Sequence, residues 1–274
     1  MSPSPDTANA SSTRRAGGLG AERDSLTVVV GMSWTSVFPA RHCIRAAARV
    51  STPVTRRAVR GCARPRAPAR DRYVHAVKDY YEELWERLPD DLTPPDQALR
   101  RRFALANLAA GDRVLDLGCG SGDLAAELAR AGVQVTAADV AQAALDRAAG
   151  RHPELSLRLV AIDEPLPFED GSFDAVWSSE VIEHVADTAR WLSEVRRVLA
   201  PAGRLLLTTP SHGRLRLLAG GIERYSEPLG DHLHLYSARS LRELLTEFGF
   251  GEIEVRSAAG PPLARRLLLA RAVR

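Results

Sequence analysis

Residues 114–125 read VLDLGCGSGDLA. A short apolar run ends in an aspartate, and glycines follow at positions 118, 120 and 122. The run reads as a buried strand, and DLAAELAR after the last glycine reads as the start of a helix. A glycine turn between strand and helix leaves no Cβ between the backbone and a ligand, so the chain can approach that ligand closely.

Beyond this turn the sequence alternates strand and helix. Strands are predicted at 113–117, 133–138, 155–161, 173–178, 204–209 and 252–256, with helices at 123–131, 141–149, 188–199 and 240–248. Such alternation implies an α/β fold: a doubly wound, mostly parallel sheet with helices on both faces. Residues 261–274 read either as the start of a helix or as an edge strand, so the sheet has seven strands or six. Upstream, Val74, Val77, Tyr81, Leu84 and Leu88 form one helical face that Pro89 ends. A second helix is expected after Thr93 as N-cap, with Leu99, Phe103 and Leu108 inward. The expected organisation is an extension over 1–70, N-terminal helices over 71–110 and a ligand-binding domain over 111–274.

Charge divides the chain the same way. Residues 1–70 carry 12 Arg against three acids, a net +9, whereas 71–274 carry 25 basic and 31 acidic residues, a net −6. The overall +3 therefore describes the extension, and the acidic remainder lacks the basic face that phosphate backbones require. The extension has no sustained apolar periodicity and is expected to be disordered. Its composition resembles a transit peptide, but a start codon placed too far upstream in a GC-rich genome is the favoured explanation, which 36 Arg to one Lys suits. No run reaches the roughly 18 apolar residues of a membrane span. Cys43, Cys62 and Cys119 show no paired spacing, which points to a reducing, cytoplasmic setting without a disulfide framework.

The identity of the ligand follows from two aspartates. Dinucleotide folds use G-x-G-x-x-G and seat a pyrophosphate on the helix N-terminus; here the spacing is G-x-G-x-G. Asp116 stands two residues before the first glycine, where a carboxylate repels pyrophosphate but suits an ammonium group. Asp139 ends the second strand, 21 residues after Gly118, and can accept both ribose hydroxyls of a nucleoside. Adenosine at one end and a cationic amino acid at the other describe S-adenosyl-L-methionine.

Residues 113–210 resemble the class I S-adenosylmethionine-dependent methyltransferases, especially the branch with the ubiquinone and menaquinone biosynthesis enzymes. VLDLGCGSG and VTAADV resemble that family's first two motifs, LPFEDGSFDAVWSSEVIEHV its fourth strand and active-site turn, and VRRVLAPAGRLLLTTP its next helix and fifth strand. The resemblance implies a Rossmann-like fold whose N-terminal helices form a lid over the cofactor. It places Gly118, Cys119 and Gly120 against the methionine end, Asp139 on the ribose and Val140 beside the adenine, with Gly122 of the same turn counted among the cofactor-binding residues. For the adenine amino group either Asp163 or the backbone of Ile162 is the expected contact, since Ala161 and Ile162 stand here at the family's usual aspartate position. Ser179 is expected to line the methyl-transfer channel. Tyr80, Tyr81 and Trp85 are expected to pack on their helix face; the resemblance offers the alternative that one of them stacks over the cofactor.

Methyl transfer from an activated cofactor needs positioning and a dry site, with a general base where the acceptor is a hydroxyl. Candidates for that role are Glu180 and His184, four apart and on one face if their turn is helical, together with His212 and His234. The pair His232 and His234 has the H-x-H spacing of half a metal site, but no third ligand lies nearby in sequence, and no metal is expected. The insertion over 211–237 is expected to cover the acceptor. The expected activity is methylation of a small molecule at oxygen, because SSEV stands where amide- and amine-directed enzymes carry N-P-P-Y. Two readings from other classes stand beside it: a cofactor-binding protein without transfer activity, and a nucleic-acid methyltransferase anchored by the basic extension.

Overall fold

In the computed structural model the described residues are 68–89, 96–162, 164–212, 232–262 and 264–274. The expected disorder of the extension, the Thr93 cap, Asp163 and residues 213–231 of the insertion lie outside them. Five neighbouring parallel strands make up most of a seven-stranded sheet: β1 (Arg113–Leu117), β2 (Gln134–Asp139), β3 (Ser156–Leu159), β4 (Phe173–Ser179) and β5 (Leu199–Pro210). Two further strands, β6 (Gly251–Ala258) and β7 (Leu267–Val273), complete the order β3-β2-β1-β4-β5-β7-β6.

Strand order reverses between β1 and β4, which pair from Val114 to Asp116 opposite Ala175 to Trp177. Ligands of open parallel sheets bind beyond the carboxyl ends of the strands at such a reversal. The glycine turn begins one residue after β1 ends, at that place.

Residues 261–274 yield a strand, and an internal one. β7 runs antiparallel between β5 and β6. Its Leu267, Leu268, Leu269, Ala270 and Ala272 are all buried. An unbroken apolar run suits a strand covered on both faces and paired along both edges; an edge strand leaves one ladder open. β5 starts five residues earlier than its pattern suggests, because Leu199 already pairs with Phe173 before a bulge shifts the register.

The helices pack through small or periodic apolar faces. α3 (Asp123–Arg130) buries Ala125, Ala126 and Leu128, and α4 (Gln142–Arg151) buries Ala144, Leu145 and Ala148. α5 (Thr188–Val198) starts at Asp187, whose carboxylate accepts the Arg190 amide, and buries Leu192, Val195 and Val198. The helix Ala238–Glu247 opens with a reciprocal cap between Ser237 and Ser240 and buries Leu241 and Leu245. Upstream, α1 (Pro68–Arg87) begins three residues before the expected boundary, and α2 (Gln97–Asn107) follows Asp96, which has a left-handed backbone (φ 60°) and makes no side-chain cap.

Two charged side chains fasten α1 to α4. The Glu82 carboxylate accepts the Gln142 and Ala143 amides, both at 2.8 Å, so a residue of α1 satisfies the free N–H groups that open α4. Arg147 of α4 returns the arrangement by donating to the carbonyls of Trp85 (2.9 Å), Leu88 (2.7 Å) and Pro89 (3.2 Å) at the end of α1. Each side chain neutralises the dipole end it meets. Arg147→Ala is expected to release α1 while the sheet stays intact. Amide hydrogen exchange over residues 77–87 should accelerate while β4 and β5 keep their protection; unchanged exchange in α1 would show that the latch does not hold it.

Candidate active site

The floor of the site is the turn after β1. Gly118, Gly120 and Gly122 all have positive φ (87°, 53° and 73°), which side chains rarely adopt. A Cβ on Gly118 would lie 2.3 Å from Val181 Cγ2, and one on Gly120 would lie 2.7 Å from two ring atoms of Trp85. Trp85 is therefore the aromatic of α1 that reaches the glycine turn, under a cation–π contact from Arg147 at 5.7 Å. Tyr80 is exposed, and Tyr81 stands edge-on to His184 with ring centres 6.2 Å apart. Gly122 serves a different purpose: its missing Cβ faces Leu155 and Ala148, letting α3 sit close to α4 and the loop before β3.

Two carboxylates are buried beneath this turn. Asp116 lies within β1 and Asp139 at the end of β2, and each is nearly inaccessible (2% and 6%). Asp139 accepts the Gly120 amide at 2.9 Å through one oxygen and the Ala141 amide at 3.0 Å through the other. Burial raises its pKa, and the amides of Ala141, Gly120 and Val140 oppose that rise. Each oxygen keeps a second lone pair for a ligand hydroxyl. Asp116 has no such support: burial, and then the Asp139 charge, push its pKa up to about 7, with no cation among the described residues to offset them. Burial also raises the Cys119 thiol well above its usual range, so it stays protonated; its amide donates to the Ala138 carbonyl at 3.0 Å. Val140 is half-buried beside Asp139.

The opposite wall is built from the ends of β4 and β5. Residues 180–187 form turns, not a helix, because Glu180 has φ 56°. The helical spacing expected of Glu180 and His184 is thereby corrected: the two side chains take different partners. Glu180 accepts from Thr208 Oγ1 at 3.0 Å and meets Arg100 of α2 at 3.2 Å. Thr208 Oγ1 lies 2.8 Å from Ser179 Oγ. Since the threonine proton goes to Glu180, the serine proton goes to the threonine, and Ser179 keeps its lone pairs free.

Thr209, on the other face of β5, donates to Glu183 Oε2 at 2.9 Å. Glu183 was not singled out from sequence, yet it is fully buried, and burial with the neighbouring Glu180 charge raises its pKa well above the carboxylate range. Its Oε1 finds no hydrogen bond among the described residues, and His184 Nε2 is 3.8 Å away. A legible signal existed: a carboxylate between Ile182 and His184 in VIEHV interrupts an apolar run where no solvent face is due.

The insertion returns to this wall. The Glu183 carbonyl accepts the amides of Leu233 (2.8 Å) and His234 (3.1 Å), and the main chains of Ser211 and His212 bridge to Tyr236. Over 232–236 the side chains alternate, with Leu233 and Leu235 exposed and His232, His234 and Tyr236 turned inward. His234 Nε2 donates to the Val185 carbonyl at 3.0 Å, and His212, itself buried, accepts the Tyr236 amide through Nδ1 at 3.2 Å. His212 is thus a packed residue of the wall, its ring 6.4 Å from that of His232. His232 instead meets His184, ring centres 4.6 Å apart. The H-x-H pair splits, and one half joins Glu183 and His184.

An open depression of about 560 Å³, lined by Arg113, Gln134, Ser156, Arg158 and Glu169 among others, lies at the opposite, N-terminal ends of the strands. It holds neither buried carboxylates nor a glycine turn. No helix among the described residues is long and apolar enough to cross a membrane.

Comparison with known proteins agrees with this geometry. Residues 80–255 match a family described as a methyltransferase domain. The chain is 37% identical over 165 residues to a demethylmenaquinone methyltransferase of Beutenbergia cavernae, covering 57% of this chain and 68% of that one. It is 30% identical over 212 residues to a glycine/sarcosine/dimethylglycine N-methyltransferase of Actinopolyspora halophila; this alignment takes in 66% of the chain but only 36% of the longer relative. Its fold matches a solved Haemonchus contortus phosphoethanolamine N-methyltransferase 2 in complex with S-adenosyl-L-methionine (TM-score 0.55, 22% identity, 74% of this chain and 58% of that one).

The Asp116 pKa carries a stability consequence for the ligand-free chain. A carboxyl held near pKa 7 when folded and near 3.9 when unfolded contributes fully below about pH 4, and that contribution fades as pH rises through 7, by roughly 4 kcal/mol. Asp116→Asn, neutral at every pH, should match the native chain at pH 4 and exceed it by a few kcal/mol at pH 8 in chemical denaturation. An equal stability difference at both pH values would refute the assignment.

Proposed function

The chain belongs to the class I S-adenosylmethionine-dependent methyltransferases, and on that premise we propose that it methylates a small molecule at oxygen. The observation that carries the reading is the pair of buried carboxylates, Asp116 and Asp139, under a glycine turn at the reversal of strand order. The residues fit the cofactor: Asp139 has lone pairs for two ribose hydroxyls, the turn has room only for backbone, and Asp116 is a buried acid awaiting a cation. When bound, S-adenosylmethionine supplies a methyl group already activated on a sulfonium.

The chain's own residues then do three things. Gly118, Cys119 and Gly120 receive the methionine end, Asp116 the ammonium, Asp139 the ribose, and Val140 flanks the adenine; Asp163 remains our candidate for the adenine amino group. Trp85, latched through α1, keeps water from the turn, which strengthens the electrostatics beneath it. Ser179 lines the passage from that side to the acceptor side.

Of the four residues considered as bases, Glu180 is tied to Arg100 and Thr208, His212 to Tyr236 and His234 to Val185. His184 is the one grouped with Glu183 and His232. We assign the handling of an acceptor hydroxyl to that carboxylate–imidazole group. Carboxylates and imidazoles suit a hydroxyl that must shed a proton as its oxygen is methylated, and the wall lacks the N-P-P-Y run of amide- and amine-directed enzymes. The absence of paired cysteine spacing supports a cytoplasmic setting.

Calorimetry with S-adenosylmethionine is expected to show binding that Asp139→Ala weakens at least ten-fold. Affinity should rise with pH toward 8, because an ammonium favours the ionised form of Asp116. A panel of phenols, quinols, glycosides, carboxylic acids and amines, read by S-adenosylhomocysteine release, then tests the acceptor. Turnover confined to amines would overturn the oxygen assignment, and binding of NADH in place of S-adenosylmethionine would overturn the whole reading.

A further inference from the structure

We propose that Glu183, His184 and His232 bind a divalent first-row transition cation, with Zn²⁺ chemistry, on the acceptor side of the site. Each offers one ligand atom, and the three atoms lie within 4.8 Å of one another. The independent sign is Glu183 Oε1, an oxygen of a fully buried side chain with no hydrogen bond among the described residues. Leaving a buried carboxylate oxygen unsatisfied is costly, and folded proteins resolve it by pairing the charge or coordinating a metal.

The spacing favours an atom between the groups. At 3.8 Å, Oε1 and His184 Nε2 are too far apart for a direct hydrogen bond. Two ligands on a tetrahedral zinc lie about 3.3 Å apart, so this pair needs to close by about half an ångström. One carboxylate and two imidazoles are a donor set suited to zinc and its neighbours; magnesium prefers oxygen alone.

The supporting contacts are those of a prepared site. Thr209 holds Oε2 and so fixes the direction of Oε1. The Glu183 carbonyl takes the amides of Leu233 and His234, tying the segment that carries His232 to the residue beside which it must sit. Three protein ligands leave a fourth position open for water or an acceptor oxygen. The inference thus deepens the proposed reading, since a cation there meets the oxygen to be methylated and lowers the pKa of its hydroxyl.

The tag-free full chain, stripped with chelator and dialysed, should bind Zn²⁺ at about one equivalent by calorimetry. Co²⁺ in the same site should show the visible absorption of a low-coordinate nitrogen and oxygen site. Glu183→Gln and His232→Ala should each weaken Zn²⁺ at least about ten-fold, while His152→Ala, whose imidazole meets Asp123 instead, should bind as the native chain does. Circular dichroism and S-adenosylmethionine binding report whether each variant is folded. No stoichiometric metal in the native chain, or equal affinity in Glu183→Gln, His232→Ala and His152→Ala, would overturn the cation site. Loss of cofactor binding by the native chain would instead overturn the methyltransferase reading.

Discussion

Two carboxylates that water cannot reach organise this protein. Asp116 and Asp139 end up side by side because β1 and β2 run parallel in register, Leu117 opposite Ala138, and deliver their carboxyl ends to the same edge of the sheet. Among the described residues no basic side chain neutralises either charge. Asp139 is supported by the amides of Gly120 and Ala141, which fixes the path of the glycine turn and of the start of α4. Asp116 is left close to neutral by its own burial and by Asp139. A fold that buries charge without a partner has built a place for one.

The placement of α1 follows from the same arrangement. α4 begins just after Asp139, and its open amides are taken by Glu82 of α1, while Arg147 of α4 holds the end of α1. The helix carrying Trp85 is therefore attached to the strand end that carries Asp139, the proposed ribose ligand. Gly120 is glycine on two counts: its backbone has φ 53°, and the indole occupies the space where a side chain would be. The glycine turn and Trp85 are thus linked through α1 and α4, whereas the facing wall is built from β4, β5 and residues 232–236.

That division explains what the sequence disclosed. The cofactor side is built from contiguous pieces, strand, turn and helix, so VLDLGCGSG and VTAADV carry its geometry in their spacing. The parallel strands were legible for the same reason, whereas β7 was not: its apolar run fits a helix or a strand until the two neighbours that cover its edges are known. The wall of β4 and β5 depends on distant encounters. Glu183 matters because Thr209 and His232 reach it from 26 and 49 positions away, and no local pattern encodes that. The H-x-H pair suggested two equivalent histidines; alternation along 232–236 placed both inward, and the Val185 carbonyl claimed one of them. Glu180 and His184 failed as a helical pair because a single left-handed residue turned the chain.

A crystal structure of the chain with S-adenosylhomocysteine tests the paired-carboxylate site. The ribose hydroxyls are expected on the Asp139 carboxylate, the amino-acid end over the backbone of residues 118–120 near Asp116, and Trp85 at the closed side. Density for the ligand in the depression beside Arg113 and Arg158, or none at the glycine turn under saturating ligand, would contradict that site.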